Sequence, residues 1–241
     1  MTQTEGVAGR SAVVTGGNKG IGAAIVQALV ADGHRVASFS RGGDAAEGAL
    51  GIACDVTDSA QVDAAFKTAE EAHGPVEILV ANSGVTKDTL VLRMSDADWD
   101  LVMDTNLKGA FRCAKRASRS MLRRRWGRII FTGSVVGLYG SPGQVNYSAS
   151  KSALVGMARS LTREIGGRGV TANVVAPGFI ETDMTAVLPD EVVAGYKKSI
   201  PAGRLGVVGE VAATIAFLAG ENAGYISGAV IPVDGGLGMG H

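Results

Sequence analysis

The sequence predicts an α/β protein with one doubly wound parallel sheet and helices on both of its faces. Short apolar, β-branched runs alternate with longer segments of helical period, which is typical of consecutive βαβ units. The strand-like runs are apolar almost throughout, as strands covered on both faces require. Because 241 residues suffice for one such domain, we expect a single domain over 1–241.

The elements can be assigned in order from these runs. In the first helical segment Ile21, Ile25 and Leu29 recur at intervals of four, as one buried helical stripe requires. Sheets of this kind bind ligands beyond the carboxyl ends of their strands, so the residues that follow each strand are candidates for a site. The expected order is SAVVTG, a helix over about 19–32, RVASFS, GIACDV, a helix over about 58–73, VEILVANSG, helices to about 125, GRIIFTGS, a helix with YSASK, VTANVVAPG, a helix over about 209–219 and GAVIPVDGG.

Composition and charge exclude several classes of protein. The formal net charge is zero, so the field of the whole molecule favours neither a nucleic-acid nor a membrane partner. No run of about 18 uncharged apolar residues occurs, and the N-terminus lacks the apolar segment of a signal peptide. Cys54 and Cys113 form no metal-binding pattern, so we expect buried thiols and no metal. These observations predict a soluble cytoplasmic protein.

A glycine-rich turn, TGGNKGIG, follows the first strand and opens the first helix. Gly16, Gly20 and Gly22 allow a tight turn and close approach of the backbone to a pyrophosphate at the positive end of the helix. This placement predicts a dinucleotide site. About 20 residues further on, where an NAD site usually has a carboxylate, the chain has Ser40 and Arg41. These residues favour the 2′-phosphate of NADP, although a solvated arginine at a strand end remains the alternative.

Two further strand ends carry polar side chains. Asp55 follows the third strand and is a candidate for a hydrogen bond to adenine. Asn82, Ser83 and Gly84 end the fourth strand, at the same expected edge of the sheet.

The segment YSASK places Tyr147 and Lys151 on one face of a helix, one turn apart. Ser134 ends the fifth strand, thirteen residues before the tyrosine, and brings a hydroxyl to the same edge. A nearby ammonium favours a phenolate, so we expect Lys151 to lower the pKa of Tyr147. The three residues together suit general acid–base catalysis.

These motifs resemble the classical short-chain dehydrogenases/reductases over essentially the whole sequence. The family's TGxxxGxG, YxxxK and PG motifs match at Thr15 to Gly22, at Tyr147 and Lys151, and at Pro177 and Gly178. Its catalytic serine matches Ser134. ANSG stands where the family commonly has NNAG.

Within the family the chain is most similar to bacterial 3-oxoacyl-acyl-carrier-protein reductases of type II fatty-acid synthesis. GRIIFTGSVVGLYGSPGQVNYSASKSALVGMARSL and VTANVVAPGFIETDMT carry this resemblance, and the tail VDGGLGMGH resembles the mycolic-acid-pathway type. That type typically has a tryptophan where this chain has Tyr139, which leaves the acyl length open.

The resemblance implies a Rossmann-type NADP-binding domain with a substrate lid over about 183–204, NADPH as cofactor, acyl-carrier-protein thioesters as partners and a homotetramer. It implies that Tyr147 donates a proton to the substrate carbonyl oxygen, that Ser134 orients that oxygen, that Lys151 holds the nicotinamide ribose and that Asn106, in DTNLKG, positions a water. It implies a substrate contact at Tyr139 and carrier docking at Arg128 and Arg168. The implied cofactor-binding residues are Gly16, Asn18, Lys19, Gly20, Ile21, Gly22, Ser40, Arg41, Asp55, Val56, Asn82, Gly84, Tyr147, Lys151, Pro177, Gly178, Ile180 and Thr182.

Other interpretations remain open at this point. A reductase of the same family could act on a polyketide, steroid or quinone carbonyl. A dinucleotide sensor without turnover would not need a complete set of Asn106, Ser134, Tyr147 and Lys151. The cationic run over 115–128 has no interleaved aromatic pattern, so nucleic-acid binding is not expected. That run could equally be the solvated end of a helix, where basic residues favour the helix dipole.

Overall fold

A computed structural model describes residues 9–182 and 190–239 and contains a seven-stranded parallel sheet. Every neighbouring pair in this sheet is parallel. Its strands are β1 (Ser11–Thr15), β2 (Arg35–Ser40), β3 (Leu50–Ala53), β4 (Ile78–Ala81), β5 (Gly127–Thr132), β6 (Val170–Pro177) and β9 (Val230–Val233), and the two short strands β7 (Ile180–Glu181) and β8 (Gly206–Val207) form a separate parallel pair.

Helices cover both faces of the sheet. One buried apolar cluster joins the sheet to α2, α4 and α6, and a second cluster joins the opposite face to α1 and α8. The helices are α1 (Gly20–Ala31), α2 (Ser59–His73), α3 (Asp96–Val102), α4 (Ala110–Arg124), α5 (Val136–Tyr139), α6 (Val145–Ile165), α7 (Asp190–Ser199) and α8 (Val208–Ala219), and a π-helix (Met103–Gly109) joins α3 to α4.

This architecture confirms the doubly wound parallel sheet predicted from the sequence. The first, second and last expected helices begin and end within one residue of α1, α2 and α8. Ile25 and Leu29 are fully buried and Ile21 is partly buried, so the expected stripe of α1 faces the core. Residues 183–189 of the expected lid lie outside the described residues, whereas 190–204 contain α7.

The order of the strands creates a crevice at the carboxyl edge of the sheet. The order is β3–β2–β1–β4–β5–β6–β9. The first three strands therefore extend the sheet to one side of β1, and the strands from β4 onwards extend it to the other side. At such a change of side the connections leave the two neighbouring strands in opposite directions, which opens a ligand-binding crevice above their carboxyl ends. The sequence-predicted residues at the ends of β1 and β4 border this crevice.

The two cysteines are buried, as predicted, and are not bonded to each other. Burial raises the pKa of the Cys54 thiol to about 11 and that of Cys113 to about 12, so both are neutral thiols at physiological pH. Among the described residues, no group of three or more potential metal ligands occurs, and no helix is both long and apolar enough to cross a membrane.

Candidate active site

The glycine turn between β1 and α1 is closed by contacts that leave no room for larger side chains. A Cβ atom added at Gly22 would lie 1.9 Å from the carbonyl oxygen of Gly16, which itself has a φ of 67°. The amide of Asn82 donates to the carbonyl oxygens of Thr15 and Gly16, at 3.2 and 3.3 Å. Asn82 therefore fixes the turn to the end of β4.

The first turn of α1 has unused backbone donors. Within the described part of the chain, no side chain caps this helix, although Lys19 occupies the N-cap position. Free N–H groups and the helix dipole suit an anion. The tight turn and the open helix end together fit the pyrophosphate of a dinucleotide.

The end of β2 lies beside the glycine turn and holds the residues expected to bind a 2′-phosphate. Arg41 and Lys19 are both exposed to solvent. Ser40 is buried, and its hydroxyl donates to the carbonyl oxygen and to Oδ1 of Asp44, at 2.9 and 3.0 Å. The side-chain amide of Asn18 donates to Oδ2 of the same carboxylate, at 2.8 Å.

The end of β3 presents Asp55 in a fixed orientation. Its Oδ1 accepts hydrogen bonds from the backbone N–H and the hydroxyl of Thr57, at 2.9 and 2.7 Å. These bonds lower the pKa of Asp55, so the carboxylate is ionised and oriented before any ligand arrives. Val56 is buried against Gly109, where an added Cβ would approach it to 2.7 Å.

Asn106 lies in the π-helix and is 1 % exposed. Its Oδ1 accepts from the backbone N–H of Val85 at 2.8 Å, and its Nδ2 donates to the carbonyl oxygen of Val85 at 3.0 Å and to Oγ of Ser150 at 3.1 Å. A Cβ added at Gly84 would lie 3.3 Å from Oδ1 of Asn106 and 3.4 Å from Nζ of Lys151. Gly84 therefore lets the amide and the ammonium come together. π-Helices often occur at functional sites, and this one carries a candidate catalytic residue.

Ser134 and Tyr147 form a hydrogen-bonded pair at the carboxyl edge of the sheet. Oγ of Ser134 also accepts from the backbone N–H of Val136 at 3.2 Å, which restrains the serine at the start of α5. Burial raises the pKa of Tyr147, and the hydrogen bond from Ser134 opposes that shift only in part. The phenol is therefore protonated at neutral pH.

Lys151 does not lower the pKa of Tyr147, and this part of the prediction is wrong. Its Nζ lies 5.6 Å from the centre of the Tyr147 ring and donates instead to the carbonyl oxygen of Thr132, at 2.7 Å. Burial lowers the pKa of Lys151 to about 8, because desolvation disfavours the charged ammonium. The pKa of Lys151 is thus close to neutrality, whereas that of Tyr147 lies above its ordinary value.

The chain after β6 closes the nicotinamide side of the crevice. Pro177 ends β6, Gly178 follows it, and Ile180 is buried in β7. The methyl carbon of Thr182 lies 3.9 Å from the position of a Cβ built on Gly20. Thr182 therefore faces the glycine turn across the crevice, as a residue that contacts a dinucleotide must.

A cavity of about 410 Å³ lies between the segment that follows α5, α7 and the chain after β6, and its lining includes Tyr139, Phe179 and Tyr196 beside two serines. Tyr139 lies at one side of it, and Leu237 of the C-terminal segment also lines it. Phe179 and Tyr196 stack with ring centres 3.8 Å apart, which connects α7 to the segment that follows β6. The mixed aromatic and apolar lining fits an acyl chain.

The two arginines expected at a carrier-docking surface lie in different environments. Arg168 is exposed after the C-terminal end of α6. Arg128 is only 3 % exposed, its guanidinium lies 4.2 Å from the centre of the Trp126 ring, and its Nε donates to the carbonyl oxygen of Gly220 at 3.2 Å. The expected surface position of Arg128 is therefore wrong, because the sheet and Trp126 enclose its side chain.

Three structural features of the site were not predicted from the sequence. The Thr132 carbonyl, Ser150 and the carboxylate of Asp44 each hold a predicted site residue in place. Ser150 stands within YSASK, and Asp44 follows Arg41 by three positions, so both could have been found by inspection. The role of the Thr132 carbonyl has no signal in the residue type, because every residue carries that group.

The sequence comparisons agree with the geometry. A family model described as enoyl-(acyl carrier protein) reductase matches residues 16–238. The chain belongs to the short-chain dehydrogenase/reductase family.

Individual relatives are similar over almost their full length. The 3-oxoacyl-(acyl-carrier-protein) reductase MabA of Mycobacterium tuberculosis strain H37Rv is 55 % identical, with 100 % of this chain and 99 % of that protein aligned. The 3-oxoacyl-(acyl-carrier-protein) reductase FabG of Escherichia coli K12 is 45 % identical over 96 % of this chain and 98 % of its own length. FabG of Salmonella typhimurium LT2 is 44 % identical over the same shares.

Proposed function

We propose that this protein reduces 3-oxoacyl-acyl-carrier-protein to 3-hydroxyacyl-acyl-carrier-protein, with NADPH as the reductant. The observation that carries the proposal is the pairing of the partly buried, protonated Tyr147 with Ser134 at the carboxyl edge of the sheet that also holds the glycine turn. The names of the similar reductases support the substrate class.

Bound NADPH would supply the hydride that the C3 carbonyl carbon of the substrate accepts. Ser134 would donate a hydrogen bond to the carbonyl oxygen, which stabilises the negative charge that develops there. Tyr147 would transfer its phenolic proton to that oxygen and complete the alcohol. The raised pKa of Tyr147 keeps this proton in place at neutral pH, so the residue is in the form that a proton donor needs.

The supporting residues would restore the proton and hold the nicotinamide ribose. Lys151 lies beside both Tyr147 and Asn106 and, with a pKa of about 8, can take up and release a proton near neutral pH. We assign two roles to Lys151: it binds the hydroxyls of the nicotinamide ribose, and it returns a proton towards Tyr147. We assign to Asn106, held by Val85 and Ser150, the positioning of a water in this path.

Steady-state oxidation of NADPH tests the proposed reaction directly. The substrates are 3-oxoacyl thioesters of increasing chain length on acyl carrier protein and on coenzyme A, beside a panel of polyketide, steroid and quinone carbonyls. A 2-enoyl thioester is included because the matching family model carries the name of an enoyl reductase. Turnover of 3-oxoacyl thioesters above all others is expected, whereas preference for another carbonyl would assign the chain to the alternative reductase class.

Replacing Arg41 with alanine is expected to weaken NADPH binding by about ten- to a hundredfold and to leave NADH nearly unchanged. A charge-assisted hydrogen bond to a phosphate contributes about 1.5 to 3 kcal/mol, and only NADPH carries the 2′-phosphate. Fluorescence titration with each cofactor measures the effect, with Arg123→Ala as an exposed control on α4. Equal losses for the two cofactors would make Arg41 a structural residue.

Replacing Arg168 with glutamate is expected to raise KM for carrier-bound substrates about three- to tenfold at low salt and to leave coenzyme A thioesters unaffected. Acyl carrier protein is acidic, and charge reversal slows an electrostatically steered encounter that salt screens. The matched control is Lys67→Glu, an equal charge change at an exposed site on α2. Equal effects on both substrate types would exclude Arg168 from docking; the buried Arg128 is left unchanged in this test.

We also propose a homotetramer that assembles through α4 and α6. An apolar groove on these helices is lined by Leu107, Phe111 and Met157, and Phe111 is 50 % exposed. Gly156 on α6 has open space around it, which would permit close approach of a second helix. Ala158 on the same helix is buried in the core of its own chain and does not contribute to this surface.

A further inference from the structure

A carboxylate lies across the part of the crevice that would receive the adenosine ribose. Oδ2 of Asp44 accepts from the glycine turn through Nδ2 of Asn18 at 2.8 Å, and Oδ1 accepts from the end of β2 through Oγ of Ser40 at 3.0 Å. The backbone carbonyl of Asp44 also accepts from Ser40, at 2.9 Å. The side chain thus connects the two segments that flank a ribose 2′-position in a doubly wound nucleotide-binding sheet.

The local chemistry favours the ionised form of Asp44. Its pKa is lowered, first by the hydrogen bond from Asn18, then by its own backbone and by Ser40, and the charge of Lys19 acts in the same direction. Gly42 leaves space for the carboxylate, because a Cβ atom added there would lie 2.7 Å from Oδ1. A negative charge therefore occupies a position at which a phosphate is expected.

We propose that Asp44 determines cofactor selectivity by engaging the hydrogen-bond donors that the 2′-phosphate of NADPH requires. This inference rests on the proposed NADPH-dependent function. The Ser40 hydroxyl has a single hydrogen, and this hydrogen points to Asp44. NADPH must displace the carboxylate from Ser40 and Asn18, whereas the 2′-hydroxyl of NADH can donate to it.

Displacement does not remove the opposition between the two negative groups. Asp44 follows Arg41 by only three residues, so its charge stays near the phosphate after the hydrogen bonds have broken. Two like charges close together in a solvated site repel each other, and a phosphate carries nearly two charges. Asp44 therefore weakens the preference for NADPH that Lys19 and Arg41 create.

Calorimetric titration of Asp44→Asn, Asp44→Ala and the wild type tests this inference without any turnover. The ligands are NADPH, NADH, adenosine 2′,5′-bisphosphate and 5′-AMP. In both variants the dissociation constants of NADPH and the bisphosphate should fall about five- to thirtyfold at low salt, and those of NADH and 5′-AMP should not fall. The gain should shrink as salt screens the charges. Glu47→Gln removes an exposed charge in the same loop. It should change neither the ratio of the NADPH and NADH dissociation constants nor that of the bisphosphate and 5′-AMP.

An unchanged or weaker affinity for NADPH in both variants would overturn the inference, as would an equal gain for phosphorylated and unphosphorylated ligands. Failure of the proposed function has a different signature, since the wild type itself would then bind neither NADPH nor the bisphosphate. Circular dichroism melting curves confirm that each variant is folded, and the asparagine variant preserves the shape of the loop.

Discussion

Tyr147→Phe is expected to lower kcat for 3-oxoacyl thioesters by about 10²- to 10⁴-fold, the usual contribution of a positioned general acid. The phenyl ring keeps the packing of the partly buried tyrosine, and only the hydroxyl that is bonded to Ser134 is removed. The affinity for NADPH should therefore remain within about threefold of the wild type, because the loss is confined to the proton donor. Stopped-flow single-turnover assays measure the chemical step, and fluorescence titration measures cofactor binding.

Tyr225→Phe is the matched control, since Tyr225 is fully exposed and the same oxygen atom is removed from its side chain. It should leave kcat unchanged. Retention of more than about a tenth of the wild-type kcat in Tyr147→Phe would contradict the assignment of this residue as the general acid.

Lys151→Met is expected to abolish activity and yet to raise the free energy of unfolding at pH 7. The pKa of Lys151 is lowered to about 8 in the folded chain from 10.5, so between these values the unfolded chain binds more protons and stability rises with pH. At pH 7 the buried charge costs about 3 kcal/mol. Methionine removes this cost and loses the hydrogen bond to Thr132, worth about 1 kcal/mol, so a net gain of about 2 kcal/mol is expected.

The pH dependence separates this effect from a simple change in packing. At pH 9.5 the lysine of the folded chain is already mostly neutral. The gain in free energy of unfolding that Lys151→Met has over the wild type should therefore be smaller by about 2 kcal/mol than at pH 7. Urea unfolding without cofactor at both pH values measures the difference. The exposed Lys67→Met is the control and should show no such dependence. An advantage that is equal at both pH values would mean that the ammonium is not desolvated.

Much of the fold could be predicted from the sequence because it depends on patterns that are local. The apolar runs that became β1, β4, β5 and β6 are buried strands, and the stripe of Ile25 and Leu29 faces the core. The parallel direction of the strands then follows from the alternation with helices, whereas their order is known only from the structure. The positions after the strands were informative for the same reason, since topology alone brings Asn82 and Ser134 to one edge.

The electrostatic state of the site could not be read in the same way. The four-residue spacing correctly places Tyr147 and Lys151 on one helix. It does not specify which oxygen atom accepts the hydrogen bond from the Lys151 ammonium. The Thr132 carbonyl belongs to a strand nineteen residues earlier, and only the folded structure shows that it lies within 2.7 Å of Nζ. The burial of Arg128 escaped prediction likewise, because it depends on Trp126 and on Gly220, far along the chain.

The π-helix around Asn106 has a consequence for the permitted length of the chain. A π-helical turn contains one residue more than an α-helical turn, so α3 and α4 are out of rotational phase with each other. Deleting one residue between Met103 and Gly109 would restore a continuous α-helix and rotate one flank about 100° relative to the other. Either the buried stripe of α4 or the amide of Asn106 would then face the wrong way. The segment thus acts as a spacer of fixed length, in which an insertion or deletion is more harmful than most substitutions.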